Sequence, residues 1–305
     1  MEQFSLSALD HPIMNAAGIC KSIADVDIFA NQSFTSAIVI GSYTIEPRDG
    51  NQEPNYYEHF NEGVFEYTLN TLGLPNFGLP GMSICIPEMR KIAHAANKHL
   101  LVSVAGFHPQ HYYTLARAAL TLGADGIEIN VGCPNVWNKN KPEKMISYDP
   151  GLLFDVLYAV ERALSDSRLP WWVKLSPYTQ LDDMRNAASV INSSNAHGIT
   201  LTNTLGNCTM IHPKTGTPVT EPNLGLAGLG GRSIKPISLA NVLQFHRLLL
   251  PDKFIIGCGG IMNGQDVLDY MRAGASAVQI ASARLVYGHK IFYKIATHYA
   301  ELISQ

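Results

Sequence analysis

Short apolar runs rich in β-branched residues recur along this chain, and each is followed by a stretch whose apolar positions repeat at helical spacing. Eight such runs stand out: Ile13 to Ala16, Ala37 to Ile40, Leu101 to Ala105, Gly126 to Asn130, Trp172 to Leu175, Gly198 to Thr202, Phe254 to Gly257 and Ala277 to Ala281. Between them lie helix candidates at Ile23 to Ala30, Pro87 to Ala96, His111 to Leu122, Gly151 to Leu164, Leu181 to Ile191, Pro236 to Leu249 and Gly264 to Arg272. An uninterrupted apolar run is what a strand buried on both faces requires, and its alternation with helices is the signature of βα units around a parallel sheet. Eight units predict an α/β fold of the (β/α)8 TIM-barrel type with long βα-loop insertions, rather than an open doubly wound sheet. No repeat, low-complexity tract or linker divides the chain, so residues 1–305 are expected to form one domain.

The unusual residues fall on one rim. Asn15 to Gly18, Gly41-Ser42, Asn130 to Asn135, Lys174 to Pro177, Thr202 to Thr204, Gly257 to Gly260 and Ala281-Ser282 all follow predicted strands, the end where barrel enzymes build their sites. Three connections, roughly 41 to 100, 131 to 170 and 203 to 253, are long enough to carry lids or binding surfaces. Composition narrows the function classes. Hydrophobic content of 46% supports a large core, and a net charge of -3 without long runs of one sign argues against a nucleic-acid or anionic-membrane partner. The five cysteines show no metal-ligand or disulfide spacing. With no apolar leader at Met1 to Ser5 and no run long enough to span a bilayer, a cytoplasmic location is expected.

The densest chemistry is the run Glu128-Ile129-Asn130-Val131-Gly132-Cys133-Pro134-Asn135. It places a thiol between two carboxamides where the backbone leaves a buried strand, a proton-transfer group beside a polar, uncharged ligand. A cysteine read alone is more often a small buried hydrophobe, but Asn130 and Asn135 change that balance, since buried carboxamides need hydrogen-bond partners that a planar ureide-like ligand could supply. Lys174, at the end of an apolar strand, would point inward and require an anion. It suits either a Schiff base or stabilisation of a reduced flavin ring, and the neighbouring thiol favours the flavin. Glycines at Gly228 to Gly231 and Gly257 to Gly260, with Ser282, suit a phosphate, and no dinucleotide fingerprint follows the first strand. Lys235 reads as a surface group or a neighbour of that phosphate loop, and no histidine stands out as functional.

Taken together, N-A-A-G at Asn15, T-x-E-P-R-x-G-N at Thr44 to Asn51, N-x-x-G-L-P-N at Asn70 to Asn76, N-x-x-C-P-N at Asn130 to Asn135, V-K-L-x-P at Val173 to Pro177 and N-T-x-G-N at Asn203 to Asn207 strongly resemble class 1 dihydroorotate dehydrogenases. The likeness runs from about residue 12 to 285 in consistent order. It implies an FMN-containing barrel that oxidises dihydroorotate to orotate in pyrimidine synthesis, with Cys133 taking the C5 proton while the C6 hydride goes to the flavin. Carried onto this chain, Ala17, Gly41, Ser42, Asn130, Lys174, Thr202, Gly231, Gly259, Gly260, Ala281 and Ser282 would line FMN. Asn70, Leu72, Gly73, Leu74, Asn130, Asn135, Asn203 and Thr204 would surround orotate. Cys133 and Lys174 would be the catalytic pair, with no metal. Within the class, Gly73-Leu74-Pro75-Asn76 resembles the homodimeric subgroup that uses fumarate, rather than the NAD-linked subgroup with its iron–sulfur partner.

Three positions depart from the family pattern. Gly41 stands where the family has a lysine, Gly132 stands where serine is usual, and Val136 to Tyr148 is longer and more basic. Losing the lysine removes a cation beside the flavin and the orotate carboxylate, and Arg48, Lys139 and Lys141 are the nearest substitutes in sequence. A related flavin barrel acting on another pyrimidine or ene substrate stays open, as does a flavin-binding paralogue without activity, which would have no need of Cys133.

Overall fold

The computed structural model describes residues 4–32, 34–138, 141–142 and 144–305. All eight apolar runs are strands: β1 (Ile13–Asn15), β2 (Ala37–Tyr43), β3 (His99–Ala105), β4 (Gly126–Asn130), β5 (Trp171–Leu175), β6 (Gly198–Leu201), β7 (Phe254–Cys258) and β8 (Ala277–Ile280). They are hydrogen-bonded in parallel in the order β1-β8-β7-β6-β5-β4-β3-β2, so the sheet curls until β1 and β2 face each other. Helices pack outside. Along β2 the buried side chains alternate: Ile38 and Ile40 join the large cluster between strands and helices, while Ala37 and Val39 point into the barrel with Met14, Leu101, Trp172, Ile256 and Ala277. Phe4 sits among this inner set against the rings of His99 and Trp172.

The seam between β1 and β2 is closed by a side chain. Asn15 is fully buried, its Nδ2 donates to the Val39 carbonyl at 2.6 Å, and its Oδ1 accepts the Val39 N–H at 3.0 Å. A carboxamide carries the donor and acceptor of a peptide group, so Asn15 continues the ladder where the short β1 backbone has ended. Just beyond, Gly18 N–H donates to Gly41 O at 2.7 Å and Gly41 N–H to Cys20 O at 3.2 Å.

The long connections carry structure that periodicity alone did not reveal. Strands Tyr56–Asn61 and Val64–Asn70 from the first, with Leu205–Cys208 and Ala227–Gly231 from the third, form an antiparallel sheet. The second holds a small pairing of Trp137–Asn138 with Lys141–Pro142. Gly228 to Gly231, expected as a phosphate loop, is thus a strand paired with Tyr67 to Asn70. A Cβ on Gly231 would lie 2.7 Å from the Tyr67 Cα, so the close strand contact demands glycine there. The helix expected to begin at Pro87 spans Gly78–Ala95 instead, because Met82, Ile86, Met89 and Ala93 form one buried stripe that passes through the proline. Beyond β8 the chain adds helices Ser282–Tyr287 and Lys290–Ile303. Among the described residues no helix is long and apolar enough to cross a membrane.

Replacing Asn15 with alanine strands the Val39 N–H and C=O in the core. At roughly 1–3 kcal/mol for each of the two unsatisfied buried groups, Asn15→Ala should destabilise the fold by about 2–6 kcal/mol in urea unfolding. A loss below about 0.5 kcal/mol would show that the seam holds without it.

Candidate active site

A cavity opens at the carboxyl ends of the barrel strands, with Tyr56, Thr68 and Asn70 of the antiparallel sheet on one side. Its remaining wall draws on the loops after β1 (Ala17, Lys21), β4 (Cys133, Asn135), β6 (Thr202, Asn203, Thr204) and β8 (Ala281, Ser282), with Ser42 from β2, Asn130 from β4, Lys174 from β5 and Leu72 and Leu74 from the first long connection. A smaller cavity adjoins it, sharing Thr202 to Thr204, Ala281 and Ser282 and adding Gly231, Gly259 and Gly260. Of the site residues expected from sequence, all but Gly41 and Gly73 line one of the two. No Asp or Glu lines either among the described residues.

The floor is built on Glu128. This carboxylate is wholly buried, accepting hydrogen bonds from Ser103 Oγ (3.2 Å), Trp172 Nε1 (3.3 Å), Thr200 Oγ1 (3.0 Å) and Gln279 Nε2 (2.8 Å). Lys174 Nζ lies 3.7 Å from it and donates to Gln279 Oε1 at 3.3 Å. The anion that an inward lysine requires is therefore within the barrel. Burial works to lower the Lys174 pKa, but Glu128 outweighs it and the ammonium is held above its ordinary value. From Ser103 the network climbs through the Ser42 hydroxyl (2.8 Å) to Asn130 Nδ2 (2.9 Å), whose Oδ1 accepts from Asn203 Nδ2 at 3.1 Å. On the opposite wall Asn135 Nδ2 donates to Asn70 Oδ1 at 2.5 Å. Four carboxamides, each oriented by a neighbour, thus frame the space beside Cys133.

Cys133 lies in the turn that follows β4 and opens into the larger cavity. Burial pushes its thiol pKa up, opposed by the Asn135 backbone and by the cations Arg48, Lys174 and Lys21, which do not cancel it. Lys21 was not among the residues singled out from sequence. The available signal was its place three residues beyond Gly18 on the functional rim. Its own pKa is lowered by burial, with Asp25 and Cys133 acting in the opposite direction.

Two expected site residues act through the backbone alone. Gly41 has a φ of +98°, and a Cβ there would meet the Ser103 carbonyl at 2.4 Å, so the left-handed conformation and the contact both exclude a lysine in this backbone. Gly73 O is taken by Arg48 Nε at 2.9 Å, and the Arg48 guanidinium lies over the Phe107 ring. Arg48 is thus committed outside the cavity wall. Lys139 and the side chain of Lys141 lie outside the described residues. Gly259 and Gly260 lie close to the helix Lys235–Leu248: added Cβ atoms would meet Ser238 Oγ at 2.4 Å and Lys235 Cβ at 2.6 Å. Lys235 neighbours this loop, but its ammonium is paired with Asp266 and Asp269 at 2.5 and 2.6 Å. Gly132 packs against the end of β5, where a Cβ would meet Ser176 N at 2.5 Å, so a serine does not fit this backbone.

Because Glu128 and Lys174 compensate each other in the interior, removing one charge should cost more than removing both. Glu128→Gln alone is expected to destabilise by about 3–5 kcal/mol, and combining it with Lys174→Met should recover part of that loss. Strictly additive unfolding energies would show that the pair is not coupled.

The chain matches the family model for dihydroorotate dehydrogenase over residues 3–303. Dihydroorotate dehydrogenase (fumarate) of Trypanosoma cruzi is 33% identical over 309 residues, which span 98% of this chain and 93% of the relative. The protein of the same name from Saccharomyces cerevisiae is 31% identical over 305 residues, 99% of this chain and 92% of the relative. A crystal structure of DHODH from Eimeria tenella in complex with ferulenol superposes with a TM-score of 0.77 at 19% identity, covering 96% of this chain and 82% of that one, a likeness of fold. With the thiol, the inward lysine and the framing carboxamides all on one barrel rim, and the match running nearly end to end, the chain belongs to the dihydroorotate dehydrogenase family.

Proposed function

We propose that this protein oxidises dihydroorotate to orotate with FMN as its cofactor and fumarate as the electron acceptor. The observation that carries this reading is Cys133 opening into a cavity framed by Asn70, Asn130, Asn135 and Asn203. Carboxamides match the alternating donors and acceptors of a cyclic ureide, and a thiol beside them serves as a base. The residues present fit a flavin mononucleotide. The smaller cavity offers glycine backbone and the Ser282 hydroxyl without a carboxylate among its described residues, which suits a phosphate. Ala17, Ser42, Asn130, Lys174, Thr202 and Ala281 would hold the ring system. When bound, FMN supplies the hydride acceptor.

The chain's own part is to bind, orient and move one proton. Asn130 and Asn203 on one side and Asn70 and Asn135 on the other fix the ring of the substrate, their own orientations set by mutual hydrogen bonds. Cys133 removes the C5 proton. Its raised pKa means that the thiolate fraction is small at neutral pH and grows as pH rises through the folded-state value. Lys174, kept protonated by Glu128, maintains a positive charge on the cavity wall where the oxidation builds negative charge.

The protein should purify yellow with noncovalent FMN. Dihydroorotate should bleach it under anaerobic conditions, and fumarate should restore the colour. Flavin that is present yet untouched by dihydroorotate would overturn the substrate assignment and favour another ene or pyrimidine substrate. Cys133→Ala should retain FMN and slow the bleaching by roughly 10² to 10⁴. In the unaltered protein the bleaching rate should rise with pH, with an apparent pKa above the ordinary cysteine value of about 8.5. Near-normal reduction by the alanine variant would exclude Cys133 as the base.

A further inference from the structure

Dihydroorotate and orotate are carboxylates, and a carboxylate held in a partly closed cavity needs a compensating cation. Among the described residues two ammonium groups line the larger cavity, those of Lys174 and Lys21. They differ in one respect. Lys174 already has Glu128 as its counter-ion at 3.7 Å. Lys21 Nζ donates to the Pro75 carbonyl at 3.1 Å, and among the described residues no carboxylate lies within ion-pairing distance of it. Asp25, the nearest acid in sequence, is occupied as a helix cap, accepting from the Lys21 and Ser22 N–H groups and from Ser22 Oγ. An ammonium with no ion-pair partner among the described residues, and only the more distant Asp25 acting on it, therefore borders a cavity with no acidic wall among those residues.

Its position matches the charge that Gly41 fails to supply. Gly41 N–H donates to Cys20 O and Gly41 O accepts from Gly18 N–H, so the loop that carries Lys21 lies directly against the end of β2. The backbone at Gly41 admits no side chain, and the adjacent loop delivers a lysine to the same cavity. Lys21 is also at the substrate end. Its partner Pro75 follows Leu72 and Leu74, which line the larger cavity with Cys133, and Lys21 does not line the smaller cavity formed by Gly231, Gly259 and Gly260.

We propose that Lys21 is the specificity-determining residue that receives the substrate's carboxylate, supplying from the β1 loop the cation that Gly41 cannot carry. The assignment rests on the dihydroorotate reading above. Orotate titrated into the FMN-loaded protein, followed by the flavin absorbance change, tests it as binding, without turnover. Lys21→Met should keep FMN bound and weaken orotate by about 10- to 150-fold, the range of one lost charge-assisted hydrogen bond. Lys21→Arg should restore most of that affinity, since charge is retained. Unchanged orotate affinity in the methionine variant, or an arginine variant as weak as methionine, would overturn the assignment while leaving the dihydroorotate reading intact. If the unaltered protein carries FMN but binds no orotate, the dihydroorotate reading falls, and the role of Lys21 falls with it.

Discussion

The Glu128 carboxylate in the middle of the barrel is the charge around which the functional end is arranged. A bare carboxylate in an apolar interior would be untenable. Here it gathers donors from β3, β5, β6 and β8 through Ser103, Trp172, Thr200 and Gln279, with the Lys174 ammonium as counter-ion. Removing any of these groups leaves the carboxylate less well matched, so the cluster ties β4 to four other strands in a single register. It also fixes what faces the cavity: Lys174 reaches the wall as a protonated, immobilised cation.

That order passes upward through hydroxyls and amides. Ser103 connects to Ser42, Ser42 to Asn130 and Asn130 to Asn203, so groups on β2, β3, β4 and the loop after β6 are set by one hydrogen-bonded chain. A ligand bound against Asn130 and Asn203 meets groups that are already oriented, which reduces the ordering that binding must impose. The antiparallel sheet contributes the opposite pair. Asn70 is set by Asn135 and by the Gly228 carbonyl, across the sheet's own strand pairing.

The three cations around the cavity are held in different ways. Lys174 is ion-paired from below, Lys21 is ion-paired with no described carboxylate, and Arg48 affects the Cys133 thiol from outside the wall while holding the Gly73 turn. All three cations favour the thiolate, yet burial still raises its pKa. The thiol is thus positioned by geometry and kept mainly protonated by desolvation.

The sequence by itself determined the barrel and most of its rim. Eight apolar runs spaced by helical stretches leave few other ways to bury both faces of each strand, and residues placed just after those runs must emerge at one end. Lys174 and the asparagines were legible because an ammonium or amide beside a buried strand needs a partner, and Cys133 because it stands between two such amides. The antiparallel sheet was not legible, since the pairing that joins its two halves, Val64–Asn70 with Ala227–Gly231, spans more than a hundred residues and part of it is glycine. Lys174's counter-ion was also hidden: Glu128 lay in plain view in its strand, but only the pairing of β4 with β5 sets it beside a lysine more than forty residues further along the chain. Gly41 shows the same limit. Its identity marks a lost charge, whereas the left-handed backbone that forbids a side chain and the hydrogen bonds that bring the Lys21 loop alongside exist only once β1 and β2 meet. Periodicity is a property of neighbours along the chain, and compensation of charge is a property of neighbours in space.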